Sequence, residues 1–128
     1  IHVIEKGKET LYLSDAKNAN GVRIIDGALY VLAGKELWKI DANKNKTVIT
    51  TALEENGDGL EPVGNGDFLV TCWPGLIYYV TADGQVEQLL DTRGKMNTAD
   101  LGYDQKKQIL YIPTFNSNSV VAYQLLKK

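Results

Sequence analysis

The side chains of this sequence with chemical potential are mostly oxygen donors. One histidine, His2, stands at the extreme start, so neither a Ser-His-Asp triad nor a histidine-based zinc site can be assembled from these residues. G-x-S-x-G, P-loop and G-x-G-x-x-G patterns are absent. Gly57-Asp58-Gly59 and Gly64-Asn65-Gly66 read as loop punctuation, since neither opens a helix. The single Cys72 lies in the apolar run FLVTCW; it excludes an internal disulfide framework and reads as a small buried side chain. What remains is a set of carboxamides and carboxylates at recurring places: Asn20-Gly21, then Asp58-Gly59 with Glu61 just behind it, then Asp100 in NTADLGYD. Carboxylates of this kind can move protons. Asn-Gly and Asp-Gly are equally the favoured turn pairs of any β protein, because both tolerate positive φ.

The elements that must position these residues repeat. The stretch NGVRIIDGALYVLAGKELWKID, from Asn20, returns as DGLEPVGNGDFLVTCWPGLIYYVTADG from Asp58 and as NTADLGYDQKKQILYIPTFNSNSVVAYQL from Asn97. The interval is about forty residues. LYV at Leu29 aligns with FLV at Phe68 and LYI at Leu110, and LWKID at Leu37 aligns with IYYVT at Ile77 and VVAYQ at Val120. Strand-type residues alternate over four to seven positions between turn pairs such as Asp26-Gly27, Gly66-Asp67 and Asp83-Gly84, and no window carries an apolar stripe of period 3.6.

Each copy therefore reads as strands a to d. In the first these are roughly Val22 to Ile25, Ala28 to Ala33, Leu37 to Asp41 and Thr47 to Thr51. The second has its fourth strand at Val86 to Leu90, and the third stops after strand c, at Leu125. His2 to Glu5 and Glu9 to Leu13 read as the c and d strands of a preceding blade, or as a closing strand. A four-stranded antiparallel unit repeated at this period predicts an all-β fold: a partial β-propeller of about three blades, half of a six-bladed ring. The expected units are residues 19–53, 58–92 and 97–126 of one domain spanning 1–128, with inner strands beginning near Asn20, Asp58 and Asn97.

Composition limits the function classes. A chain of 128 residues with 44% hydrophobic and 23% charged residues has the makings of one packed domain. Fourteen basic against sixteen acidic residues leave a net charge near −2, with no basic cluster beyond Lys106-Lys107 and Lys127-Lys128, which argues against a nucleic-acid partner. No apolar run approaches the roughly 20 residues of a membrane span. The chain opens at Ile1 without Met, and is expected to have been cut by processing, design or proteolysis. The compartment is left open, a periplasmic or secreted one included.

The blade pattern, an NG or DG entrance followed by G-x-LYV and LW-x-ID, resembles the senescence-marker-protein/gluconolactonase family and its NHL and strictosidine-synthase-like relatives, all six-bladed propellers. The resemblance runs from about Asn20 to Leu125. It implies that Asn20 and Asp58 are ligands of a divalent cation on the propeller axis, with calcium or magnesium suited to such oxygens and zinc or manganese also possible. It further implies that Asp58 moves the proton of an activated water, in the hydrolysis of a lactone or related ester. The family's remaining ligands, a Glu and another Asn, would fall ahead of Ile1. Beside this stands the plain turn reading of both pairs.

Asp100 occupies the matching third entrance, as an axial group or as a residue bonding the strand backbone. Glu61 reads as a channel-lining carboxylate and substrate contact. Trp73, in the WPG turn between strands b and c, offers an indole for ligand stacking. Arg93 and Asn97 lie on the linker into the third copy, where Arg93 meets either solvent or an anionic ligand. Trp38 and tyrosines such as Tyr30, Tyr78, Tyr79 and Tyr111 are expected to fill the space between blades.

Two function classes follow: a metal-dependent lactone hydrolase, or a non-catalytic propeller that binds a small molecule, glycan or protein. The open strand edge and uncovered blade faces at the two ends of the array predict association with another copy, or with the missing half of the ring.

Overall fold

The computed structural model describes residues 1–126. A hairpin of β1 (His2–Glu5) and β2 (Lys8–Leu11) precedes a four-stranded sheet of β3 (Ala19–Ile25), β4 (Ala28–Ala33), β5 (Glu36–Ile40) and β6 (Lys46–Thr50). A second four-stranded sheet holds β7 (Gly57–Pro62), β8 (Phe68–Cys72), β9 (Leu76–Val80) and β10 (Val86–Asp91). A third has three strands, β11 (Gly102–Asp104), β12 (Ile109–Pro113) and β13 (Val120–Gln124). Each sheet pairs sequential neighbours, antiparallel throughout. One turn of 3-10 helix, Phe115–Ser117, is the helical element among the described residues, so none of their helices can cross a membrane.

Local chemistry sets the hairpins. Asp26 and Gly27 both have positive φ, 49° and 78°, and join Ile25 to its cross-strand partner Ala28 as a two-residue primed turn. Lys6 and Gly7 repeat this between Glu5 and Lys8. Where the c–d turns are longer, a side chain organises them: Asp41 Oδ1 accepts the N–H groups of Asn43 and Asn45, and Thr81 Oγ1 accepts that of Gln85.

The core lies between blades. Leu32 and Leu37 of the first sheet meet Leu60, Phe68, Val70, Leu76 and Val80 of the second. On the other side of the second sheet, Leu69 and Ile77 pack on Leu101, Leu110 and Ile112. Stacking of this kind sets the inner strands side by side, β3 against β7 and β7 against β11. The chain is part of a β-propeller, as the repeat predicts.

Three expectations are corrected. Strand a of the first copy begins at Ala19, three residues earlier than Val22. The third inner strand begins at Gly102 and not near Asn97. The segment between lies irregularly across the second blade, held by the buried Thr98, whose Oγ1 lies 2.8 Å from the Cys72 carbonyl and 3.1 Å from that of Leu76.

The third correction concerns Asn20-Gly21 and Asp58-Gly59, which are not turns. Both pairs lie inside strands, at register shifts where β3 and β7 each carry an extra residue, and neither glycine has positive φ. Glycine is required there by closeness. A Cβ on Gly21 would stand 2.6 Å from the Asp58 carbonyl oxygen, and one on Gly59 would stand 2.8 Å from the Leu101 nitrogen. The glycines let one inner strand approach the next.

Candidate functional site

Because β3 and β7 run alongside each other with the same bulge, Asn20 and Asp58 are brought together at the end of the ring where inner strands begin. Asn20 and Asp100, the latter from the segment entering β11, both lie near enough to the Asp58 side chain to act on its ionisation, Asp100 through its charge. Three successive blade entrances thus converge. Burial, above all, and then the Asp100 charge push the Asp58 carboxyl above its ordinary range, while the Asn20 carboxamide pulls the other way.

Three residues further along each inner strand lies a second interblade pair. Arg23 of β3 donates to both carboxylate oxygens of Glu61 of β7, a two-pronged ion pair. The hydrogen bond to Glu61 raises the Arg23 pKa most; burial opposes it, and the charges of Glu61 and Asp100 add to the rise. The guanidinium therefore contacts the sequence-predicted Glu61 directly and feels the charge of Asp100. Sequence reasoning missed Arg23, although its offset from Asn20 equals that of Glu61 from Asp58.

Buried threonines hold the entrances in register. Gly59 N–H donates to Thr71 Oγ1 at 2.9 Å, and that hydroxyl donates to the Ala99 carbonyl, one residue before Asp100. A backbone bond from Gly57 N–H to the Gly34 carbonyl, 2.9 Å, ties the second blade to the first. Cys72, fully buried, faces Gly57 across the sheet, and burial pushes its thiol up to about 12, so it stays protonated.

Trp73 follows Cys72, and its turn opens at this same end. The indole is 42% exposed and meets the ring of Phe115 edge-on, centroids 5.7 Å apart. Arg93 does not stand free for an anion: Asp91 holds its guanidinium at 2.6 Å, and Glu54 binds it as well. Asn97 donates to the Trp73 carbonyl at 3.2 Å. Trp38 and Tyr78 are buried and Tyr30 and Tyr79 partly so, as interblade filling requires, whereas Tyr111 is 38% exposed on the last blade.

The donors at the entrances fit a hard cation, being a carboxylate, a carboxamide and a second carboxylate, with Asp58 under a repulsion that a cation would relieve. One of them is partly engaged already, since Asp100 Oδ1 accepts the Leu101 N–H at 2.8 Å. Among the described residues no three His, Cys, Asp or Glu side chains cluster as a metal site would need.

No protein-family model matches the chain, and no curated protein does either. Solved structures do. A streptogramin B lyase is similar at TM-score 0.64 with 18% identity, over 97% of this chain and 47% of that one. Virginiamycin B lyase from Staphylococcus aureus is similar at TM-score 0.68 with 11% identity, over 99% of this chain and 49% of that one. The extracellular domain of a putative one-component system from B. thetaiotaomicron is similar at TM-score 0.58 with 16% identity, over 75% of this chain and 13% of that one. At these identities the likeness establishes the propeller fold, and the chain spans about half the length of the two lyases.

Proposed function

We propose that this chain supplies half of an axial site that cleaves a lactone or related ester, with Asp58 as the group that moves the proton. The observation carrying this reading is the close approach of the three entrances, which sets Asn20 and Asp100 beside Asp58 and leaves its carboxyl with a raised pKa. Asn20 and Asp58, with Asp100 beside them, are the residues that would hold a divalent cation, calcium being suited to their oxygens; when bound it would orient an ester carbonyl and acidify a water. Asp58 accepts a proton only when ionised, the form that a bound cation would favour. The Asn20 carboxamide favours the same form. The Arg23–Glu61 pair presents fixed, opposed charges beside it and orients a polar substrate. The gluconolactonase-like blade pattern supports this reading, and the propeller neighbours named as lyases are compatible with a cleavage reaction on this fold.

The test is lactone and aryl-ester hydrolysis by the intact protein with and without Ca²⁺. Asp58→Asn should lower kcat/KM at least about 100-fold, as loss of a general base does. Unchanged turnover in that variant, or unchanged Ca²⁺ affinity by calorimetry in Asp58→Ala, would remove the reading. The exposed Trp73–Phe115 pair favours one alternative, a non-catalytic propeller that binds a small molecule, glycan or protein at this end.

A further inference from the structure

A second feature at the entrance end is built for binding and takes no part in the axial chemistry. Phe115 is 63% exposed and Trp73 42%, and their planes meet at 80°, so two aromatic walls form an open corner. Chance exposure does not produce this arrangement, because the loop carrying Phe115 is anchored. Thr114, fully buried, donates from Oγ1 to the Ser119 carbonyl at 2.9 Å and accepts the Ser119 N–H at 3.1 Å. Between these anchors Phe115 takes φ of 51° and Asn118 takes 50°. Left-handed backbone is costly for a bulky aromatic and persists only where the surroundings impose it. The loop therefore spends stability to hold an apolar ring in water.

The polar groups of the loop are neutral. Asn116 donates to Asn97 Oδ1 at 3.1 Å, and Asn97 donates in turn to the Trp73 carbonyl, which fixes one carboxamide beside each aromatic. Asn116 keeps an acceptor oxygen and a second N–H without a partner among the described residues, and the exposed Ser117 hydroxyl and Asn118 carboxamide are likewise unengaged among them. Thr114 to Ser119 contains no charged residue, and the nearby guanidinium of Arg93 is taken up by Asp91 and Glu54. The loop itself thus offers an ion no counter-charge, the exposed Lys95 and Asp100 lying to either side of Asn97 in sequence. A ligand with a flat apolar face edged by hydroxyls would find both of its complements, rings for the face and carboxamides and hydroxyls for the edge.

We propose that Trp73, Phe115 and Asn116 form a subsite for a neutral hexopyranose, its C–H face stacked on the indole and its hydroxyls bonded to Asn116 and its neighbours. This site uses none of the axial carboxylates, and its occupancy does not depend on the proposed cleavage. The chain's two tryptophans separate the signals, since Trp38 is buried beneath Lys46 and serves as an internal folding reference. The experiment titrates the 128-residue chain with methyl β-glucopyranoside, methyl β-galactopyranoside, methyl α-mannopyranoside and their tetrasaccharides, reading both indole resonances by NMR. Phenol serves as the comparison ring.

At least one glycoside should shift Trp73 saturably and leave Trp38 in place. Affinity should fall at least ten-fold in Phe115→Ala and Asn116→Ala and stay unchanged in Asp58→Asn, with saturation transfer to the sugar lost in Trp73→Ala. A Trp73 resonance unmoved by every glycoside at tens of millimolar overturns the proposal. Saturation transfer that persists in Trp73→Ala, or a response to phenol alone, overturns it equally. Failure of the axial reading would appear separately, as unchanged turnover in Asp58→Asn.

Discussion

The middle blade and its neighbours share one plan of strands, yet they meet water very differently. Every residue of β8 is buried, and β9 nearly so. In the first blade Val22 and Ile24 of β3 are 43% and 78% exposed, and in the last blade Val120 of β13 is 64% exposed. The sequences of these strands are comparably apolar, so strand pattern sets the sheet while burial is set by the next blade. Substitutions should separate the two regions. Leu69→Ala, in the interface between the second and third sheets, should cost about 3 kcal/mol, whereas Ile24→Ala, measured on the dissociated chain, should stay within about 0.5 kcal/mol. Equal losses in urea unfolding would mean that the first blade's outer face is covered.

Glycines sharpen the same contrast. Gly59→Ala drives a methyl into Leu101 and Thr71 at the blade junction and should cost about 2–3 kcal/mol by overpacking. Gly27→Ala meets nothing within 4 Å and should cost about 1 kcal/mol, from its positive φ alone. If the order of the two were reversed, close approach of the inner strands would not be the reason for glycine at the entrances.

Open faces also bear on assembly. We propose that the uncovered apolar rows on β3 and β13 are met by another copy or by the rest of a ring, and that the chain alone associates at micromolar concentration. Light scattering that returns a well-folded 14.1 kDa monomer would contradict this.

The repeat made the blade order and strand types legible, because alternation and turn pairs are local signals. The meaning of the entrance pairs was not legible. Asn-Gly and Asp-Gly look alike in a hairpin and in a bulge, and only the neighbouring strand, 2.6 Å from a hypothetical Gly21 Cβ, distinguishes them. The late start of β11 was hidden for a similar reason: Asn97 to Leu101 are held by Thr98 and Thr71 through contacts distant in sequence. Arg23 was overlooked as a lone strand residue although register pointed to it. Phe115 was overlooked because its exposure depends on the loop's backbone and not on its composition.

The central claim is that three blade entrances converge on one proton-handling group. It is tested most directly by the NMR titration of the Asp58 side-chain carboxyl in the chain and two variants. Asp58 should titrate above the ordinary carboxylate range of about 3.9. Asp100→Asn should bring it down by removing a like charge, and Asn20→Ala should raise it further by removing a neighbouring carboxamide that favours the ionised form. A carboxyl that titrates at its ordinary value and ignores both substitutions would show that the three residues do not share a site.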